Sequence, residues 1–321
     1  MGFGEIGVEL IGSRVTIRLK EATGGFRDIV GILKTLTSLQ KSDGTVATFN
    51  PSEIAIWRKI EAPTLKAGQG APYSLRIREM ELIADASWES AEKATVGDWL
   101  LRADGKFTYR ANSVLPTGAA PWGEPGSDLD AALISVVDFY RSRNLKPIFQ
   151  VPLPLYEELD RKLESDGWQT GVTMHYMIAD LEESYAVSDN YRDSTQPSPE
   201  WLAVQADEGT LPIMERTSAR YGWIENNGAI AAVGRAGLVK DWCVLARIFV
   251  PENLRGKGYA KSLMSGLLDS ARKAGATKAL LQVDSENAPA IALYEKFGFR
   301  THHQGRFRIL EKTLPLISEC C

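Results

Sequence analysis

The sequence predicts an α/β (α+β) protein with mixed central sheets and flanking helices in two related halves, preceded by a small all-β barrel. Three observations carry this expectation. Short alternating apolar stretches crowd residues 8–60, a helix–strand–helix unit ending on glycine occurs twice, and an apolar run at 244–250 leads through a glycine turn into an amphipathic helix.

In the first stretch Val15, Ile17 and Leu19 alternate with polar residues, as in a strand with one buried face. Gly24-Gly25 interrupts the chain before a second apolar run at 29–33, and Ser42-Asp43-Gly44 is a strong turn before residues 46–49. Ile54 and Ile56 close the series. Strands this short and this dense suggest a barrel over residues 1–64. Residues 65–73 are a linker by composition, and a helical stretch follows near 76–88. Residues 99–102 and 107–114 flank Ala103-Asp104-Gly105-Lys106, which reads as a hairpin turn. Residues 128–144 are helical, with Leu129, Leu133, Val136, Val137 and Tyr140 on one side. A short strand at 147–151 precedes a helix marked by Leu155, Leu159 and Leu163, which stops at Gly167. Residues 188–199 are polar, contain two prolines and read as a second linker.

An internal repeat then becomes visible. Helix, strand Ile148-Phe149-Gln150-Val151, helix and Asp166-Gly167-Trp168 parallel helix, strand Leu280-Leu281-Gln282-Val283, helix and Phe297-Gly298-Phe299. Strand end and glycine are 16 residues apart in one and 15 in the other, counting Val151 to Gly167 and Val283 to Gly298. The halves are expected at 73–180 and 198–313.

Composition narrows the function classes. The chain has 321 residues, 44% of them apolar and 24% charged, with a net charge of −4, so a protein built to grip nucleic acid or an anionic membrane is not expected. No apolar run approaches the roughly 18–20 residues that cross a bilayer. There is no basic-then-apolar signal pattern, and Ile6 stands where a myristoylation motif wants Ser or Thr. Cys243 lies in an apolar run and Cys320-Cys321 ends the sequence. This is neither a disulfide framework nor a metal-ligand spacing, and a reduced, cytoplasmic monomer or dimer without metal is expected.

The chemistry sits after residues 244–250. Arg255-Gly256-Lys257-Gly258-Tyr259-Ala260 opens a helix with Leu263, Met264, Leu267, Leu268 and Ala271 on one face. Strand, glycine turn and helix N-terminus form a general anion-binding design, because backbone amides and the helix dipole converge there. The turn lacks the Gly-Lys-Ser/Thr ending of a P-loop and the third glycine of a dinucleotide fold. It matches Arg/Gln-x-x-Gly-x-Gly/Ala. Downstream, Asn287 is placed as an N-cap with Pro289 in the first turn, and the helix reads Leu293-Tyr294-Glu295 before Gly298-Phe299.

On these residues the chain resembles the GCN5-related N-acetyltransferases, strongly over residues 241–311 and more loosely over 73–311, where it is similar to the tandem acetyltransferases that include mycothiol synthase. With His302-His303 after the Gly-Phe, it looks most like actinobacterial proteins with an SH3-like head. Some of those are described as histone acetyltransferases. The resemblance implies a tandem GNAT fold behind an SH3-like barrel, and acetyl-CoA as co-substrate. It implies that strands 244–250 and 279–284 splay after a bulge, and that the pantetheine arm lies in the gap along Ile248 and Val250. Arg255, Gly256, Lys257, Gly258, Tyr259 and Ala260 would hold the pyrophosphate, Asn287 would contact the arm, and Tyr294 would protonate the departing thiolate.

Simpler readings stand beside these. Tyr294 shares a helical stripe with Ala290 and Phe297, as a core aromatic would, and Asn287 serves equally as a plain N-cap. The acceptor amine must attack as the free base, which for a lysine-like amine costs about 4–5 kcal/mol at neutral pH. No carboxylate lies in 244–250 to serve as base. Asp241, Asp284 and Glu286 are candidates better explained as turn or solvated residues, and His302 and His303 as a surface strand pair. In the first half Pro121-Trp122-Gly123-Glu124-Pro125-Gly126 replaces the turn and Leu163 replaces Tyr294, so that half is expected to bind no cofactor. Arg110-Ala111-Asn112-Ser113 reads as a polar strand edge or as a face toward substrate. The leading expectation is an N-acetyltransferase acting on a primary amine of a small metabolite or of a protein. The alternative is a non-catalytic acetyl-CoA sensor whose head recruits a protein or nucleic-acid partner.

Overall fold

Among the described residues of 1–65 the elements are strands and two short 3-10 turns, at Val8–Leu10 and Pro51–Glu53, because the apolar residues alternate rather than recur at helical spacing. The strands are β1 (Gly2–Phe3), β2 (Arg14–Lys20), β3 (Phe26–Thr35), β4 (Ser38–Gln40), β5 (Val46–Thr48) and β6 (Ile54–Lys59). Val15, Ile17, Leu19, Ile29, Leu33, Leu39 and Ile54 bury one face of this sheet. The structure, a computed structural model, describes residues 2–3, 6–41, 44–60, 66–105, 108–205 and 208–311. Ser42, Asp43, Lys106, Phe107 and the Cys320-Cys321 pair lie outside these, as does Leu65 of the linker. The expected barrel does not form. The strand order β1-β6-β2-β3-β4-β5 is that of an open antiparallel sheet. Closure needs a ladder between the outermost strands, and among the described residues β1 pairs only with β6 and β5 only with β4.

Residues 66–321 form the other compact unit. Its first half contains α1 (Tyr73–Ala86), β7 (Glu92–Val96), β8 (Trp99–Ala103), β9 (Val114–Pro116), α2 (Leu129–Arg141), β10 (Ile148–Leu153), α3 (Glu157–Ser165) and β11 (Gln169–Asp180). Its second half contains β12 (Tyr191–Ser194), α4 (Pro199–Ala203), α5 (Leu211–Glu215), β13 (Ala219–Asn226), β14 (Ala229–Val239), β15 (Trp242–Phe249), α6 (Tyr259–Lys273), β16 (Lys278–Asp284), α7 (Ala288–Glu295) and β17 (Arg300–Ile309). Helix α2 starts where Asp128 caps the amide of Asp130, and buries Leu133, Val136, Val137 and Tyr140 as their spacing requires. Among the described residues no helix is long and apolar enough to cross a membrane.

Two local expectations are corrected. The hairpin preceding β8 runs from β7 through Gly97-Asp98, and the described part of 107–113 is a 3-10 turn at Arg110–Asn112 rather than a strand. Asn112 holds that turn, accepting from the Asp104 amide at 2.8 Å and donating to the Thr108 carbonyl at 3.1 Å. Residues 188–199 are not a plain linker, since they carry β12 and Ser198, which caps α4.

All strands of this unit join one sheet in the order β12-β13-β14-β15-β16-β11-β17-β10-β9-β8-β7. The sequence repeat corresponds to a structural one, with β9–α2–β10–α3–β11 matching β15–α6–β16–α7–β17. Parallel pairing of β9 with β10 and of β15 with β16 occupies matching places. The last strands are exchanged between halves: β11 lies antiparallel to β16, β17 lies antiparallel to β10, and the two pair with each other in the middle. An ionic clasp holds the exchange. Arg308 of β17 is 1% exposed and bonds both carboxylate oxygens of Asp160 on α3, at 2.7 and 2.9 Å, while Arg306 reaches the same carboxylate at 2.6 Å.

Candidate active site

Strands β15 and β16 run parallel and pair only from Trp242 with Lys278 to Leu245 with Leu281. Beyond that point β15 turns away. Its register against β14 slips, Arg235 pairing with Ala246 but Val233 with Phe249, and Arg247 takes a left-handed φ of 60°. The bulge opens a wedge between two strands whose backbone groups no longer face each other. Ile248 lies on its rim, and Val250 follows directly after β15.

From Val250 the chain makes a single 3-10 turn at Glu252–Leu254 and reaches Arg255, whose Nε donates to the Val250 carbonyl at 3.2 Å and holds the loop against the strand end. Gly256 and Gly258 have φ of 76° and 84°, a left-handed conformation that suits glycine, and a Cβ built on either meets nothing within 4 Å. The turn therefore presents an open face. Gly258 is the N-cap of α6 and supplies no side-chain cap, so the first amides of a 15-residue helix point outward unpaired. Arg255 and Lys257 are exposed beside them, Tyr259 and Ala260 are half-buried, and Leu263, Met264, Leu267, Leu268 and Ala271 face the core as expected.

On the other side of the wedge, β16 ends at Asp284, whose Oδ1 accepts from the Glu286 amide at 2.9 Å. Asn287 caps α7 by accepting from the Ala290 amide at 3.2 Å, and it is exposed. Tyr294, 8% exposed, sits in one apolar cluster with Leu245, Leu263, Leu281 and Val283, and Ile248, Val250 and Tyr259 pack against that cluster. Among the described residues none hydrogen-bonds its hydroxyl, and burial pushes the phenol up to about 12. Tyr294 is thus a core aromatic by packing and a protonated phenol at neutral pH.

The base candidates do not gather here. Asp241 pairs with Lys278 at 2.8 Å, at the closed end of the strand pair. His302 is half-buried and pulled down to about 4 by burial, with His303, Arg76 and Arg300 acting in the same direction. His303 is not on a surface strand. It is 3% exposed, stacks on Tyr176 with ring centroids 4.1 Å apart, and its Nε2 lies 3.2 Å from Glu81 Oε1.

Glu81 heads a network that sequence reasoning missed. Its Oε2 accepts from Gln150 Nε2 and from the Tyr176 hydroxyl, both at 2.6 Å, and Gln150 Oε1 accepts from Arg102 Nη2 at 3.0 Å. Arg102 is in turn paired with Asp85 at 3.2 Å. This ties α1 to β8, β10, β11 and β17 beneath the sheet. A signal was available: Glu81 and Asp85 stand on the same stripe of α1 as Ile77, Met80 and Ala84, so acids occur on a buried face.

Residues 75–308 match the profile of the family described as "Probable histone acetyltransferase Rv0428c C-terminal". The chain belongs to that family. It is an N-acetyltransferase with the fold of the GCN5-related enzymes. The acetyltransferase is 28% identical over 249 residues to the uncharacterized N-acetyltransferase YobR of Bacillus subtilis, covering 73% of this chain and 98% of that one. In fold it is similar to a GCN5-related N-acetyltransferase from Kribbella flavida, with TM-score 0.60 at 12% identity over 76% of this chain and 98% of that one. It is also similar to a tandem GNAT protein from the clavulanic acid biosynthesis pathway, with TM-score 0.52 at 13% identity over 79% and 91%. In the acetyltransferase the wedge, the glycine turn and Tyr294 all belong to the second half. At the matching positions the first half has neither turn glycines in that pattern nor a phenol, since Leu163, fully buried in its own core, stands where Tyr294 does.

Proposed function

We propose that the acetyltransferase moves the acetyl group of acetyl-CoA onto a primary amine of a small metabolite or a protein, using the wedge between β15 and β16 as its only transfer site. The observation that carries this reading is the convergence of an open glycine turn, an uncapped helix N-terminus and a buried phenol on one parting strand pair. Gly256 and Gly258 leave room for an anion at the amides of α6, and Arg255 and Lys257 supply charge, so the residues fit a pyrophosphate. The freed backbone of Ile248 and Val250 suits an amide-bearing arm that pairs like an added strand, and Asn287 retains its amide nitrogen for the same arm. Residues 198–313 would then hold the donor, and residues 73–180 would shape the acceptor side.

Transfer needs the amine nitrogen to bond the thioester carbonyl carbon while the carbon–sulfur bond breaks. The thiolate leaves with a proton, and a phenol held protonated by burial is suited to donate it. Tyr294→Phe removes only the hydroxyl that carries that proton. It is expected to lower kcat for transfer about 100-fold while leaving the Kd of acetyl-CoA unchanged. An unchanged kcat would remove Tyr294 from the chemistry and leave it a packing residue.

A further inference from the structure

A cavity of about 280 Å³ opens at the wedge, bounded by Ala246 and Arg247 where β15 turns away and by Gln282 of β16. It lies on the face of the sheet opposite α6. Leu281 and Val283 pack in the α6 cluster, so Gln282 between them points the other way, toward α1 and the first half. Trp88, Tyr109 and Arg110 of the first half, with Phe307 of β17, complete its walls. An amine entering here meets the wedge from the side away from the helix amides.

Its charge is one-sided. Among the described residues lining the cavity are Arg110 and Arg247, and no acid. Arg110 Nε is buried with no hydrogen-bond partner, and among the described residues no carboxylate pairs with the guanidinium, whose near neighbour is the Trp88 ring at 5.9 Å. Behind Trp88, at 5.5 Å, stands a second guanidinium, Arg235, fully buried. It is satisfied by the Ser87 and Met214 carbonyls, each at 3.1 Å, and by the Thr217 hydroxyl, and among the described residues no acid pairs with it. Burial pulls the Arg110 guanidinium below its ordinary value. Arg102 and Arg235 act in the same direction, against Tyr176 and Glu81. A sequestered cation lacking a counter-ion is unfavourable unless something that binds supplies one.

We propose that the acceptor is an amine bearing a carboxylate, as a free amino acid does, with the carboxylate held by Arg110 and the nitrogen directed to the wedge. This rests on the transfer reading above and names its substrate class. Guanidinium and carboxylate match as a two-point fork, which orients as well as binds. The aromatic walls accept an apolar side chain, and the volume lies just below the usual range of ligand sites, roughly 300–1,000 Å³, as suits a small molecule. The same positive field disfavours a protonated amine. It therefore supplies part of what a base would, where residues 244–250 carry no carboxylate to act as one. Polycationic acceptors are repelled by the same arginines.

The test uses the full chain with acetyl-CoA and pairs each of several α-amino acids with its methyl ester. The ester has the same amine without the negative charge, and losing the carboxylate makes that amine easier to deprotonate. Wild type is expected to prefer acids over esters by about 10–100-fold in kcat/KM, the range of one charge-assisted contact. Arg110→Gln should collapse this ratio to about 1, Arg110→Lys should keep part of it, and Arg110→Glu should invert it toward lysine methyl ester, with acetyl-CoA Kd as the control for folding. Equal or better use of esters and cationic amines by wild type would overturn the proposal, as would a ratio unmoved in Arg110→Gln. Calorimetric binding of N-acetylglutamate and its dimethyl ester to the CoA-loaded protein separates the two readings. Absence of transfer with Arg110-dependent binding of the acid overturns only the transfer reading. Binding of neither, or of both equally, overturns this one.

Discussion

Gly258→Asp is expected to raise the Kd of acetyl-CoA by at least about 100-fold without unfolding the protein. Both parts follow from the same position. Gly258 has a left-handed φ of 84°, and a side chain there meets no atom within 4 Å, so the fold can accommodate it. Aspartate is also among the better-tolerated residues in that conformation and a favourable N-cap, so α6 keeps its first turn. What changes is the open face. A carboxylate replaces empty space at the helix end where a doubly charged pyrophosphate would sit, and it competes for the amides that would bind it. Gly258→Asn serves as control, having a similar shape and no charge, and should lose much less. Isothermal calorimetry gives the Kd, and thermal unfolding shows that the variant is folded. Undiminished binding in Gly258→Asp would place the pyrophosphate elsewhere.

Asp160→Ala is expected to destabilise residues 66–321 by about 3–5 kcal/mol, as is usual when one partner of a buried pair is removed. Arg308 would remain 1% exposed with both Asp160 bonds lost, keeping only Thr170 and the exposed Glu164 as partners. Arg306 also loses its contact with that carboxylate. Because α3 belongs to the first half and β17 to the second, the loss falls on the link between them. Urea denaturation reads it directly. Asp160→Asn, which keeps the acceptor oxygen, should lose less, and a cost within about 0.5 kcal/mol, as at an ordinary surface position, would show that the clasp contributes little.

Much of the candidate site was legible because it is local. A left-handed glycine, a helix that starts beside it, an N-cap asparagine and a tyrosine seven residues farther on are set by neighbours in the chain, and each appears where its residue type requires. The bulge at Arg247 left no such mark, although the splay it causes was anticipated from the resemblance. Strand β7 escaped because its residues are exposed or half-buried at a sheet edge, so no alternation distinguishes them, and Asp104-Gly105 attracted the turn instead. The head shows the same limit. Its strands were readable from Val15, Ile17 and Leu19, but counting strands does not say whether the outermost two meet, and among the described residues they do not.

What the sequence by itself determined is most of the element order, the duplicated half and the glycine turn at the head of α6 with Tyr294 downstream, all of which depend on spacing within a few turns of chain. The tertiary structure alone decided that β11 and β17 change places, that Asp160 and Glu81 become buried anchors, and that Arg110 faces the wedge from the other half. Each of these rests on a partner far away in sequence, reaching 222 residues between Glu81 and His303. A period of two tells a strand which face to bury, never which strand to lie beside.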